Sequence, residues 1–380
     1  VARRRSRGRS VRRIAFVTGT RAEWGLLRPV CEAIGAERAL SLHVVAGGAH
    51  MLAPARTIDE VRAFAPGPSE FSMQVAGEFG RSADARALGR GIVALSDIFS
   101  TLTPDVVVVL GDRIEAFAAA SAAAVGGIRV AHIHGGDRAE GVADESMRHA
   151  ITKLSHVHFP ASAESAQRIL ALGEQAATVH FVGSPSIDGL DAISPIDDER
   201  YRDLGSPEFV FLMHPCARGE EIEHSDAAAI LDAATARGRV LALSPNSDPG
   251  RGGIVRAIAE RCDRLRIAEH LPRAQFVALL KRPEIRALVG NSSAGIIEAS
   301  ALGTRVIDIG RRQRGRERAT AVVGCAVAEP TALDEAFSAL DFVPDHATHP
   351  YGDGGASARI ARQLAEFDES RHPLAKLNAF

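Results

Sequence analysis

VVVVLGDRIEAFAAASAAAVGGIRVAHIHGGD, residues 106–137, is the stretch on which the fold class turns. Val106–Leu110 is apolar at every position, so neither face is suited to water; that is the pattern of a strand buried in a parallel sheet. Glu115–Val125 follows as an alanine-rich helical run, and Val130–Ile133 is a second buried strand. Strand, helix, strand at this spacing implies a right-handed crossover and a doubly wound sheet.

The same grammar extends outward from this unit. Ile14–Val17 and Leu42–Ala46 precede it, and Phe209–Met213, Val240–Leu243, Ala287–Val289 and Arg305–Ile309 repeat it downstream. Gly183–Gly205 is rich in Gly, Pro, Ser and Asp, which suits a connection between domains. The expected architecture is α/β, with two Rossmann-like domains facing each other across a cleft. Residues 14–190 form the first and residues 191–355 the second. Residues 356–380 carry a helical stretch, Ala356–Phe367, expected to cross back onto the first domain. Residues 1–13, with seven arginines, read as a solvated and disordered lead-in.

Composition narrows the function. The chain has 380 residues, 46% hydrophobic and 24% charged, as in a soluble globular protein. A net charge of −2 offers no hold for a polyanion. Aromatic residues, at 5%, are too few for base-stacking platforms. Neither nucleic acid nor a membrane is therefore expected as a partner. No run of about 20 apolar residues exists to span a bilayer, and the lead-in lacks the apolar core of a secretory signal. Cys31, Cys216, Cys262 and Cys325 lie far apart in sequence. That spacing argues against disulfides and a cysteine zinc site, and it suits a reducing cytoplasm.

Open α/β sheets bind ligands beyond the carboxyl ends of their strands. Polar clusters do follow the apolar runs: TGTRAEWG, GDRIE and HGGD in the first half, HPCARGEE and GNSSAGIIE in the second. Gly290–Glu298 is a small-residue turn opening a helix, whose free amides and dipole favour phosphate. Gly290 and Gly295 let the backbone approach a ligand, Asn291, Ser292 and Ser293 supply polar groups, and Glu298 is placed for ribose hydroxyls. The alternative is that Asn-Ser-Ser merely caps the helix. Arg311, Arg312, Gln313, Arg316 and Arg318 follow the next strand, and such a cationic loop beside an amide nest suggests a diphosphate. Arg21 would clamp it from the first domain. Neither GxGxxG nor a P-loop is present, which weakens dinucleotide and NTP readings.

Asp112, Asp137, Asp144 and Glu145 bring carboxylates near His132, His134 and His149, and His214 comes from the second half. Two readings compete. A strand-borne HxH would place both imidazoles on one sheet face for a metal, yet the remaining ligands would normally come from a barrel. Alternatively, the acids and histidines move protons on a substrate whose leaving group is a nucleotide diphosphate. Clustered acids raise one another's pKa, so one can stay protonated. Any single acid here could instead be a helix cap or a surface ion pair.

At these residues the sequence resembles the UDP-N-acetylglucosamine 2-epimerase family, and most closely its hydrolysing, sialic-acid-pathway branch. VTGTRAEWGLL, LGDRIEAFAAA, HIHGGDRAEGVADESMRHAITKLSHVHF, SPNSDPG and VGNSSAGIIEASALGTRVIDIGRRQRGRERA occur in family order across about residues 14–325. The resemblance implies a GT-B-like fold, a homodimer, and a UDP-N-acetylhexosamine substrate with UDP as leaving group. It implies C2 deprotonation, a 2-acetamidoglucal intermediate and no cofactor or metal. Asp112, Asp137 and Asp144 match the family's catalytic carboxylates, and His214 matches a histidine near the diphosphate. Arg21, Ser292, Ser293 and Glu298 match UDP contacts; His134, Arg148, Gly290, Asn291, Gly295 and Arg312 are the further candidates for the substrate. Two departures stand out: Asp137 stands where many relatives have Glu, and Trp24 where Tyr is common, near the expected cleft mouth.

Two products are open, free N-acetylmannosamine with UDP, or UDP-N-acetylmannosamine. A GT-B-type glycosyltransferase using a UDP-sugar donor is the rival enzyme, although the acid-rich DRAEGVADE loop argues against an acceptor groove. A catalytically silent nucleotide-sugar binder is the third reading.

Overall fold

The computed structural model describes residues 11–52, 57–78, 80–138, 144–246, 248–344, 349–368 and 373–379. Most of the lead-in, residues 1–10, and the loop 139–143 lie outside the described residues.

The chain forms two compact units, one of residues 1–137, 144–188 and 355–380, the other of residues 138–143 and 189–354. The first holds a sheet of β1 (Arg12–Thr18), β2 (Leu40–Gly47), β3 (Ser69–Phe71), β4 (Val106–Leu110), β5 (Arg129–Ile133) and β6 (Val157–Phe159). The second holds β7 (Phe209–Leu212), β8 (Val240–Leu243), β9 (Arg266–Ala268), β10 (Ala287–Gly290), β11 (Val306–Ile309) and β12 (Val322–Cys325). Their strand orders are β3-β2-β1-β4-β5-β6 and β12-β11-β10-β7-β8-β9, all pairings parallel. Numbered within its own unit, each sheet runs 3-2-1-4-5-6, the doubly wound Rossmann order. The expected α/β class is therefore observed, in two copies.

Burial explains the pattern that opened the sequence reading. Val106, Val107, Val108 and Val109 are all fully buried, alternate residues pointing into different helical layers. Val106 and Val108 join Leu27, Val30 and Ile34 of the helix Arg21–Ala36 on one face. Val107 and Val109 meet Ala118, Ala119 and Ala122 of the helix Ile114–Val125 on the other, where small side chains let helix and sheet approach closely.

The helix Ala356–Glu366 belongs to the first unit, where Ile360, Ala361 and Leu364 enter the same core as Leu27 and Ile34. Asp188 caps it, its carboxylate accepting from the amides of Ala356 (3.1 Å) and Ser357 (2.6 Å). At the other end Arg12 donates to the carbonyls of Leu364, Ala365 (3.2 Å) and Phe367 (2.6 Å). Arg12 and Arg13 thus belong to β1 rather than to the lead-in, because the last turn of this helix supplies acceptors for Arg12. Arg12→Ala should lower unfolding free energy by about 1–2 kcal/mol, since those carbonyls lose a charged donor. A urea midpoint unchanged from that of the unaltered protein would contradict this.

A doubly wound sheet has its crevice where strand order reverses, between β1 and β4 in one unit and between β7 and β10 in the other. The carboxyl ends of those strands carry Thr18–Arg21, Gly111–Asp112, His214 and Gly290–Ser293. Topology alone delivers the candidate residues to the two switch points.

Candidate active site

At the first unit's switch point the chain turns sharply after β4. The N–H of Gly111 donates to Ile133 O (3.0 Å), and its carbonyl accepts from His132 Nε2 (2.7 Å). A carbonyl only accepts, so the proton of this imidazole sits on Nε2. Burial pushes the His132 pKa down to about 3, which keeps the ring neutral. His132 is a clamp on the turn that presents Asp112.

Asp112 forms an ion pair with Arg148, one turn into the helix Asp144–Leu154. The same guanidinium donates to His134 O at 3.0 Å. Because Arg148 is buried, its charge is little screened and favours Asp112 as a carboxylate, the proton-accepting form.

His134 sits just past β5 in the left-handed region, at φ 62°. This corrects the expectation for a strand-borne HxH: His134 has left the strand, so the two imidazoles do not project as alternate residues of one face. Its Nδ1 lies 3.1 Å from Asp137 Oδ2 and its Nε2 3.0 Å from Ser184 Oγ. Ser165 Oγ donates to Asp137 Oδ1 at 2.8 Å. Among the described residues no three His, Cys, Asp or Glu side chains are placed to hold a metal ion.

Asp112, Arg148, His134 and Asp137 are therefore one connected group. The side chain of Asp144 lies outside the described residues, and its backbone opens the helix that carries Arg148. Arg21, the first residue of its helix, lies 3.6 Å from Glu60. Trp24 is core: it is buried and meets Phe64 edge to face at 5.3 Å.

In the second unit Asn291 links the ends of β7 and β10. Its side chain accepts from His214 N (2.7 Å) and donates to His214 O (2.8 Å), while its carbonyl accepts from Arg312 (3.2 Å) and Gln313 (2.9 Å). Gly290, at φ 145°, brings the chain so close to Leu212 O that no Cβ fits. His214 Nδ1 accepts from the amide of Asn246 (3.1 Å), which leaves the ring proton on Nε2. Burial first, and Arg312 second, push the His214 pKa down to about 3. The imidazole is thus a neutral N–H donor and not a cation.

Ser292 and Ser293 are half-buried at the start of the helix that follows, which winds as a π turn over Gly295–Ala299. Such turns recur at functional sites. Glu298 is buried and paired with Arg273 at 3.0 Å, with burial raising its pKa and the guanidinium opposing that rise. Arg318 pairs with Asp308 (2.6 Å). Within the basic loop, Arg312 and Gln313 both donate to the carbonyl of Asn291 in the Gly290–Asn291 turn.

Several participants escaped the sequence reading. Ser165 and Ser184 complete the shell around Asp137 and His134, and Asn246 sets the His214 tautomer. Serine carries no signal of its own, and Ser184 is 50 residues from its partner. Glu23 and Glu115, both buried beside Gly19, were also missed.

A family model described as UDP-N-acetylglucosamine 2-epimerase matches residues 32–365. The chain is 34% identical to the UDP-N,N'-diacetylbacillosamine 2-epimerase (hydrolyzing) of Legionella pneumophila, over 97% of this chain and 100% of that one. It is 32% identical to a UDP-N-acetylglucosamine 2-epimerase of Neisseria meningitidis, over 82% of this chain and 83% of that one. Among solved structures, UDP-GlcNAc 2-epimerase from Neisseria meningitidis bound to UDP-GlcNAc superposes with a TM-score of 0.77 at 20% identity, covering 93% of this chain and 100% of that chain.

Proposed function

This chain belongs to the UDP-N-acetylglucosamine 2-epimerase family, and from that premise we propose that it inverts C2 of a UDP-linked N-acetylhexosamine and releases UDP. The observation that carries the reading is the Asp112–Arg148 pair at the first switch point, whose guanidinium also donates to the carbonyl of His134, itself paired through its ring with Asp137. Asp112 removes the weakly acidic C2 proton, the anomeric C–O bond breaks, and a 2-acetamidoglucal forms with UDP as leaving group. Asp137 and Asp144 are the acids assigned to the opposite face, where a proton returns to C2.

The leaving diphosphate develops charge as the bond breaks, and preorganised donors lower that barrier. In this proposal the Ser292–Ser293 helix start, Arg312 and the neutral Nε2–H of His214 are those donors, with Arg21 adding a cation. A neutral histidine donates to the anion without a proton changing hands, so His214 orients the leaving group. Water then completes the intermediate to free N-acetylmannosamine. The full-length match to a relative named as hydrolyzing supports water, rather than UDP, as the second nucleophile.

A second reading concerns the sugar alone. That same relative is named for UDP-N,N'-diacetylbacillosamine, which carries a second acetamido group. Incubation with UDP-GlcNAc and with UDP-N,N'-diacetylbacillosamine in D2O tests both. Deuterium at C2 of the product, with stoichiometric free UDP, is the expected result, and the faster substrate identifies the sugar. Deuterium with UDP still attached would replace hydrolysis by UDP return. Binding with neither exchange nor UDP release, for both sugars, would sink the proposal.

A further inference from the structure

We infer that Glu223 is a positioning residue for His214, and that it acts by reach: one oxygen of its carboxylate fixes the turn that presents the imidazole. The inference rests on the proposed role of His214 at the leaving diphosphate and adds a residue that acts through it.

Glu223 lies in the first turn of the helix Glu220–Thr235 and is fully buried. A carboxylate at that place ordinarily serves its own helix, whose first amides lack partners. Here the side chain turns back past the helix start instead. Oε1 accepts from the amides of Cys216 (2.7 Å) and Arg218 (3.4 Å), and Oε2 accepts from the Arg218 guanidinium (3.2 Å). The two amides converge because Ala217, between them, is in the left-handed region at φ 57°. Amides gathered in this way form an anion-binding concavity, and Glu223 fills it from within the chain.

The turn held in this way is the one that begins at His214. Asn291 bonds both the N–H and the carbonyl of His214, and its Nδ2 also lies 3.6 Å from Cys216 Sγ. The ring itself is oriented by a second segment, since Nδ1 accepts from the amide of Asn246. That segment runs on to Gly250, the cap of the helix Arg251–Ala259. Gly250, at φ 102°, is packed so closely that a Cβ there would lie 3.0 Å from Glu223 Cγ and 3.2 Å from Pro215 Cβ. Glu223 is therefore packed against both segments that hold the imidazole.

A left-handed backbone is unfavourable for a residue with a Cβ, so Ala217 keeps it only while the amides on either side are held. Without an acceptor at Oε1 the Cys216 amide is left unpaired, and the turn relaxes to find another partner. That relaxation moves His214 away from Asn246 and frees the ring to take either tautomer. The charge of Glu223 matters less. Arg218 is partly exposed and keeps Asp226 at 2.7 Å when Glu223 is neutralised. Reach and charge thus make opposite forecasts for two conservative variants.

Glu223→Gln keeps an oxygen at the Cys216 amide and removes the charge; Glu223→Asp keeps the charge and withdraws it by one methylene. In ¹⁵N-histidine spectra of the free protein, His214 should carry its proton on Nε2 in the unaltered chain and in Glu223→Gln. In Glu223→Asp it should show both tautomers. Glu223→Asp should lower kcat for UDP release by about 10²-fold with KM little changed, as for a donor misplaced by about 1 Å, whereas Glu223→Gln should stay near the unaltered rate. Adding Glu223→Asp to His214→Asn should slow that variant no further. A His214 spectrum or a rate indifferent to Glu223→Asp, a Glu223→Gln protein as impaired as Glu223→Asp, or losses that multiply would each overturn the inference. An unaltered protein that releases no UDP, with the expected tautomers, would remove the proposed chemistry and leave the positioning of His214 by Glu223 standing.

Discussion

Asp112→Asn is expected to slow deuterium exchange at C2 by about 10³-fold or more while UDP binds as before. The substitution keeps shape and keeps an oxygen that accepts from Arg148, so the buried guanidinium retains a partner. It removes the capacity to take up a proton, the one property the proposed step needs. Diphosphate binding is assigned to other residues, Arg21 and those of the second unit, and its affinity should not respond. A thermal melt close to that of the unaltered protein separates lost chemistry from lost folding, because an unpaired buried guanidinium would be strongly destabilising. Exchange at an undiminished rate would remove Asp112 from the mechanism.

Glu23→Gln is expected to change how stability depends on pH. Glu23 Oε2 accepts from the amides of Gly19 (3.0 Å) and Thr20 (3.1 Å), closing a capping box at the start of the helix Arg21–Ala36. Burial, then the neighbouring Glu115 carboxylate, raise its pKa from 4.5 to about 7 against the opposing pull of Arg113 and those two amides. Below the ordinary value both folded and unfolded chains hold the proton, and pH has no effect through this group. Between 4.5 and about 7 the folded chain keeps a proton that the unfolded chain has released, so stability falls as pH rises; above that it is level. The difference amounts to about 3 kcal/mol.

Glutamine accepts the same two amides and has nothing to ionise. The variant should therefore gain about 3 kcal/mol over the unaltered protein at pH 8 and much less near pH 4.5. Urea melts at both pH values measure this, and groups common to both proteins cancel in the comparison. An advantage equal at the two pH values would show that Glu23 does not hold a proton through this range.

Eight strands were readable from apolar runs, and they are the interior strands of the two sheets: β1, β2, β4 and β5, then β7, β8, β10 and β11. The four that were not, β3, β6, β9 and β12, are the sheet edges, three or four residues long. An interior strand must be apolar on both faces along its length, and that requirement is written into the chain locally. An edge strand such as Arg266–Ala268, largely exposed, is specified by the neighbour it pairs with.

The same division holds for the candidate site. The fold class and the positions where polar residues meet strand ends were determined by the sequence alone, because hydrophobic periodicity and strand termini are local properties. Which of those residues act together was decided only by tertiary structure. Nothing local shows that Asp112 meets a buried Arg148, that Asp137 is sealed between Ser165 and His134, or that Asn246 fixes the His214 proton. Trp24 illustrates the limit from the other side, a residue next to a functional turn whose ring belongs to the core. Protonation and tautomer depend on which atoms lie within about 3 Å and on how much water is excluded. Those quantities exist only once distant segments have packed.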